Sequence, residues 1–355
     1  MAYEVRDSSL VNLYSLETLS AFAIDYMRGL GATADEAAII SDGLMTASQW
    51  WHPGQGQGLE KLFRYTRRVK NGGILPDAPM TWLVDAPAYA LLDAAKGFGY
   101  VAAHRAMTRA VEKAQASGIA MVGVRHSNHF GIAGYHALTA AKAGLIGWSS
   151  TNAAAEMAPW GSAKVVLGTN PWGIAIPRSS DHAIVLDMAL TMSGKGMMRW
   201  YERENRPMPD NWALTPAGQT TTDPSSAMTG PLLPIGEYKG YGLSLFTDVL
   251  AGVMTGALFG LDVFQDDQNF DVGHMMIAID PAALMPAADF DRRLEELIGQ
   301  VKGAEPTDPA RPVMLPGEVE FRRMSERARA GIPVSRETVD QLRELASDIG
   351  VAFNL

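Results

Sequence analysis

Apolar positions recur at helical spacing near both ends of the chain and in short runs through its middle. After Thr33-Ala-Asp-Glu36, residues Ala37, Ile40, Leu44 and Met45 fall on one helical face. Thr33 and Glu36 have capping-box spacing: the hydroxyl takes the amide three residues on, and the carboxylate reaches back. A second helix is predicted over 58–69, closed by Gly72-Gly73. Two more are predicted over 319–330 and 336–349. Between these ends, short β runs at 88–92, 119–124, 145–148, 172–176 and 183–186 are separated by Gly, Pro and Asn turns. Helical segments at 100–117, 133–143, 193–204 and 240–255 lie among them. The pattern predicts an α/β (α+β) core over 76–304 and a helical lobe built from both termini, 1–75 and 305–355. Stretches 215–237 and 303–316 read as long irregular connections, and there is no internal repeat.

The most apolar stretch, 241–261, contains Asp248 and four glycines, which suits a buried core helix better than a membrane span. Hydrophobic residues make up 47% of the 355 and charged residues 19%, so a sizeable core is expected. Thirty basic against 39 acidic side chains give a net charge of −9, which disfavours nucleic acid as a partner. The absence of cysteine excludes disulfides, thiolate metal sites and cysteine nucleophiles, and leaves the compartment open. The opening residues mix Glu4, Arg6 and Asp7 without an apolar core, so no signal peptide is expected and a cytoplasmic location is.

Gly97-Phe98-Gly99-Tyr100-Val101-Ala102 has the outline of a dinucleotide fingerprint. No acidic residue follows at the ribose-reading position after the next strand. The motif reads instead as a tight turn packing helix on sheet, and a nicotinamide cofactor would need a non-Rossmann site. The chemistry concentrates elsewhere. In 124–135, Ser127 or Asn128 could cap the next helix and place His129 near its positive end, where the dipole favours neutral imidazole and a role as acid or base. Capping or packing is the competing role for His129. His126 and His129 could share a metal only without a neighbouring carboxylate or cysteine, so no metal is expected. In 184–196 a hydrophobic run delivers Asp187 either to a ligand or to a helix cap, followed by Ser193-Gly-Lys195-Gly. Lys239, among glycines, could meet a carboxylate or phosphate, or simply be solvated.

These segments resemble, in order, the type-2 malate/L-lactate dehydrogenase family. The similar stretches are HSNHFGIAGY (126–135), TNAAAEMAPWG (151–161), VLGTNPWGIAIP (166–177), VLDMALTMSGKG (185–196), NWALTPAGQTTTDP (211–224), PIGEYKGYGLSL (234–245) and LPGE (315–318). The resemblance implies a non-Rossmann, mainly antiparallel sheet flanked by helices. It also implies a homodimer, with NAD or NADP as cofactor and a small carboxylate as substrate. It makes His129 the catalytic acid/base. It assigns Asp187, Met188, Ala189, Ser193, Thr169, Asn170, Tyr238, Lys239, Gly317 and Glu318 to the cofactor, and Thr151 and Asn152 to the substrate side.

The chain departs from the family at its S-H-G-x-x-R motif. Here 50–61 reads WWHPGQGQGLEK, with Gln57 or Gln55 at the histidine position and Lys61 near the arginine. Glutamine cannot shuttle protons, and lysine is a point charge where arginine is a bidentate fork. His52 could reach the same space, and Trp50 and Trp51 could wall a larger pocket or simply pack. The expected activity is hydride transfer between nicotinamide and C2 of a small 2-hydroxy or 2-keto acid, with His129, Asp187, Lys61 and Gln57 as the chemical groups. A cyclic 2-imino acid reductase and a catalytically impaired nucleotide binder are the alternatives.

Overall fold

The computed structural model describes residues 4–266, 268 and 270–355; the expectation about the N-terminal segment falls partly on residues 1–3, outside them. The chain opens with β1 (Val11–Tyr14), α1 (Leu16–Gly29), α2 (Ala34–Trp50) and α3 (Lys61–Lys70). It continues through β2 (Thr81–Asp85), β3 (Tyr89–Asp93), α4 (Gly99–Ser117), β4 (Ile119–Ser127), α5 (Ala133–Lys142), β5 (Ile146–Thr151), β6 (Trp172–Ile176) and β7 (Ile184–Met188). Next come α6 (Lys195–Arg203), α7 (Pro224–Met228), α8 (Tyr238–Thr247), β8 (Val272–Ile279) and α9 (Ala287–Lys302). Then α10 (Glu318–Ala330), β9 (Ile332–Ser335) and α11 (Arg336–Asp348) close it. The capping box forms as predicted: Glu36 N donates to Thr33 Oγ1 at 3.2 Å, and Thr33 N donates to Glu36 Oε2 at 3.0 Å.

Among the described residues the main sheet has seven strands in the order β2-β3-β4-β8-β5-β6-β7, and β3 with β4 is its one parallel pair. This is the expected mainly antiparallel, non-Rossmann sheet flanked by helices. β1 and β9 pair separately and bring the two ends of the chain together. Buried side chains from α1, α2, α3, β9 and α11 form one cluster that also takes in Tyr100, Ile132 and Tyr135 of the sheet's helices. The sequence reading placed no strand at β8, the central one. Five of its eight positions in a row are buried, so it lacks the alternation that marks a half-exposed strand.

The expectation for 241–261 is corrected. The stretch forms α8 and a π-helical continuation, Asp248–Val253, and one side of it is open to solvent. Leu245, Phe246, Val249, Val253 and Met254 are exposed, while Ser244, Thr247 and Ala251 face inward. The polarity is inverted: small and hydroxylic residues fit the narrow inner gap, and the large apolar ones point away. The Gly97 motif forms a tight turn, with Gly97 N donating to Ala94 O at 2.7 Å. A Cβ on Gly99 would stand 2.1 Å from Asn128 O, so this glycine lets α4 press directly on the segment that carries His129.

Candidate active site

The 128–132 segment leaves β4 and crosses to α5. Asn128 Nδ2 lies 3.1–3.2 Å from the carbonyls of Gly73, Lys96 and Gly97, tying the segment to the end of α3 and to the turn before α4. Gly131 has φ +87°, and a Cβ there would stand 1.9 Å from the Tyr100 ring, so glycine is required on both counts. Behind the segment, His274 of β8 joins Ser127 Oγ through Nε2 and Thr151 Oγ1 through Nδ1, both at 2.8 Å, and stacks on Phe130 at 4.8 Å. Burial pushes its imidazole down to about 3, so it stays neutral. Sequence reasoning missed His274: it is alone in an apolar run, and only strand pairing brings it beside Ser127 and Thr151.

Ser127 and Asn128 do not cap α5. Its N-cap is Ile132, which makes no side-chain cap, and the helix starts four residues after His129. The expected dipole effect is therefore replaced by another cause. His129 is held well below its ordinary range by burial first, then by its neighbours Lys61, Arg68 and Arg64. Lys61 Nζ lies 3.3 Å from His129 Nε2, and Gly131 N donates to His129 Nδ1 at 3.1 Å. Lys61 is itself buried, and burial holds its ammonium well below the ordinary lysine range, helped by Arg64 and Arg68.

His129 and Lys61 open onto a cavity of about 860 Å³, within the roughly 300–1,000 Å³ of ligand pockets. The helical side of its wall holds Trp51, Gln55, Gln57 and four cations of α3: Lys61, Arg64, Arg67 and Arg68. Spacing of i, i+3, i+6 and i+7 puts these cations on one helix face. Arg68 stacks over Phe270 at 3.9 Å. The sheet side holds Thr151, Asn152, Glu156, Thr169, Asp187, Met188, Ala189 and Ser193. Asp187 stands against the first turn of α5; its Cβ lies 2.9 Å from where a Cβ on Gly134 would be. Burial pushes its carboxyl up to about 7, against the pull of the Gly134 and Ala133 amides and the Trp51 side chain. The alternative role of Asp187 as a cap is thus met on α5, far along the chain from its own strand-to-helix turn.

Asp187 Oδ2 and Ser193 Oγ are buried without a hydrogen-bond partner among the described residues. Unpaired buried polar atoms on a cavity wall fit a ligand that supplies hydroxyl and amide groups, as a nicotinamide nucleotide does. The wall formed by Thr169, Asp187, Met188, Ala189 and Ser193 can therefore hold such a cofactor.

The other candidates divide between the cavity wall and places away from it. His52 turns into the lobe, accepts from Gly54 N at 2.9 Å and packs edge-on against Trp200, because burial beneath that ring excludes it from the cavity. Trp50 is core, against Phe321, whereas Trp51 is wall. Gln55 Oε1 accepts from His52 N at 2.8 Å, and Gln57 Oε1 is buried without a partner among the described residues. Asn170 is off the cavity: it bonds Ala153 N and Ser244 O and so fixes two loops. Asn152 lines the cavity but spends its side chain on Leu258 O and Gly273 N. Tyr238 and Lys239 stand at the exposed start of α8, and the Glu318 carboxylate beside Gly317 accepts from Lys302 Nζ and Leu315 N; none of the four lines this cavity. His126 sits between Asp93, at 2.9 Å, and Asp271, at 3.9 Å, away from the cavity. Among the described residues no group of three metal-ligating side chains forms, and no helix is long and apolar enough to cross a membrane.

Residues 14–343 match the family model described as malate/L-lactate dehydrogenase. The chain is 35% identical over 344 residues to a malate dehydrogenase of Pyrococcus abyssi, covering 94% of each chain. The solved structure of a sulfolactate dehydrogenase from Methanocaldococcus jannaschii superposes with a TM-score of 0.89 at 31% identity, covering 96% of this chain and 98% of that one. A delta1-piperideine-2-carboxylate reductase from Pseudomonas syringae superposes with a TM-score of 0.83 at 25% identity, covering 94% and 100%.

Proposed function

The chain belongs to the malate/L-lactate dehydrogenase family, and on that premise we propose that its cavity moves hydride between a nicotinamide cofactor and C2 of a small 2-hydroxy or 2-keto acid, with the His129–Lys61 pair handling the proton. The observation that carries the reading is that pair: two nitrogen bases in contact, in a cavity lined on one side by cations and on the other by unpaired polar atoms.

The cofactor supplies or accepts the hydride. The chain's own residues do the rest. Thr169, Asp187, Met188, Ala189 and Ser193 hold the cofactor against the sheet. The cationic face of α3 attracts and orients the substrate carboxylate. The pair takes the hydroxyl proton in oxidation and returns it to the carbonyl oxygen in reduction. A panel of 2-hydroxy, 2-keto and cyclic imino acids, read by nicotinamide absorbance with each cofactor, tests the reading. Turnover is expected on hydroxy or keto acids; turnover confined to cyclic imino acids, or none at all, overturns it. His129→Ala should cost on the order of 10²–10⁴ in rate at neutral pH while still binding cofactor.

The homodimer is part of the same reading. Phe246, Val249, Val253, Met254, Phe259 and Leu261 are large apolar side chains left exposed between positions 246 and 261, and a two-fold partner would cover them. Phe246→Glu should halve the mass seen in sedimentation.

A further inference from the structure

The hydrogen bonds around His129 fix more than its position. A backbone N–H is always a donor, so Gly131 N, 3.1 Å from His129 Nδ1, requires a lone pair on Nδ1. A neutral imidazole with a bare Nδ1 carries its proton on Nε2. That N–H points at Lys61 Nζ, 3.3 Å away. An ammonium has three donors and no acceptor, so it would set donor against donor. A free amine offers the lone pair the contact needs. An imidazolium fails on the other side, because it would set a second donor against Gly131 N.

We propose that Lys61 rests as a free amine, held by the Nε2–H of His129, and that this amine is the group that takes the substrate's hydroxyl proton, while Arg64 reads the substrate carboxylate. The proposal rests on the dehydrogenase reading above and reassigns roles within it: His129 becomes the positioning residue and Lys61 the catalytic one. The surroundings agree. Arg64 and Arg68 lie one and two turns further along α3, and His274 lies behind His129. Glu60 and Glu156 are the opposing charges. Burial and the two guanidinia press both nitrogen bases towards their uncharged forms, against the pull of the carboxylates. Arg64 lines the same cavity and carries the planar fork suited to a carboxylate.

The step balances simply. Nζ turns its single lone pair from Nε2–H to the substrate hydroxyl and takes that proton as C2 gives up hydride to the nicotinamide, leaving a carbonyl and an ammonium. The ammonium has lost its place against Nε2–H and releases its proton to water as product leaves. Reduction runs the same steps backwards, beginning with proton uptake at Nζ.

Four measurements test this. Lys61→Arg keeps a cation and improves any carboxylate clamp, but an arginine side chain is effectively never a base. The free-amine role predicts a loss on the order of 10²–10³ in kcat; retained activity overturns it. Lys61→Ala should be restored by added small alkylamines in proportion to their unprotonated fraction, and failure of that rescue in a folded, cofactor-binding variant counts against the proposal. His129→Ala should recover oxidation as pH rises, with a midpoint still below the ordinary lysine value of 10.5 because burial, Arg64 and Arg68 remain; a loss independent of pH makes His129 itself the base. Nitrogen-15 spectra of the histidine rings, with His129→Gln to assign the signal, should show the Nε2–H form from pH 6 to 8, and an Nδ1–H or doubly protonated ring overturns the proposal without any substrate. A wild type inactive on the whole panel would instead remove the dehydrogenase reading, and the ring spectra would still decide the state of Lys61.

Discussion

The two walls of the cavity are built on different principles. On the sheet side, Thr151 and Asn152 spend their polar atoms on other parts of the protein, with His274 bonded behind Thr151, while Asp187 Oδ2 and Ser193 Oγ stay unpaired among the described residues, open to a cofactor. On the helical side, Arg64, Arg67 and Arg68 crowd like charges along the face of α3 that also carries Lys61, and Gln57 keeps a buried oxygen unpaired among the described residues. Where side chains are bonded back into the protein, as Thr151 and Asn152 are, the wall holds a fixed geometry that many substrates can share. A wall that gathers several cations stabilises whatever anion it meets, and so decides which one. The chain departs from the family's S-H-G-x-x-R pattern on that second wall.

If this contrast is right, damage to the two walls should look different. Gly131→Ala strikes the fixed wall. A methyl 1.9 Å from Tyr100 on a backbone at φ +87° should cost roughly 3 kcal/mol or more, seen as a lower denaturant midpoint with activity lost alongside the fold. Arg64→Gln strikes the charged wall. Losing one charge-assisted contact of about 1.5–3 kcal/mol should raise KM roughly tenfold to a hundredfold, with little change in unfolding. An equal effect on stability from both variants would erase the distinction.

Asp187 faces the first turn of α5 from the sheet side, and its effect depends on pH. Its carboxyl, pushed up to about 7 in the fold against an ordinary 3.8, keeps its proton where the unfolded chain has shed it. Wild-type stability therefore falls between about pH 4 and pH 7 from this group and then levels. Asp187→Asn removes that slope. Its melting temperature should match wild type near pH 4 and exceed it by a few degrees at pH 8, as read by calorimetry. A gap that widens towards acid would mean the carboxylate is stabilised in the fold.

Part of this site was legible because it is contiguous. His129 and its glycine lie within ten residues of one another, and Asp187 follows directly from a hydrophobic strand; short-range spacing suffices for both. The capping box at Thr33 was legible for the same reason, since it needs only two residues of one turn. The contact between Lys61 and His129 spans 68 positions, and that between His274 and Ser127 spans 147. No periodicity carries information over such distances. The inward turn of His52 and the outward face of α8 were illegible too, because each depends on what packs against it.

The order of residues alone thus determined the helices that cap themselves, the strands bounded by their turns, and the family to which the segments are similar. Only the folded molecule decided that β8 runs through the centre of the sheet, that Asp187 meets the first turn of α5, and that an amine faces an imidazole whose second nitrogen is already spoken for. The reason is physical. Local conformation is fixed by forces acting within a few residues, whereas protonation and charge recognition are fixed by what surrounds a group in three dimensions, and that environment exists only once distant segments have packed.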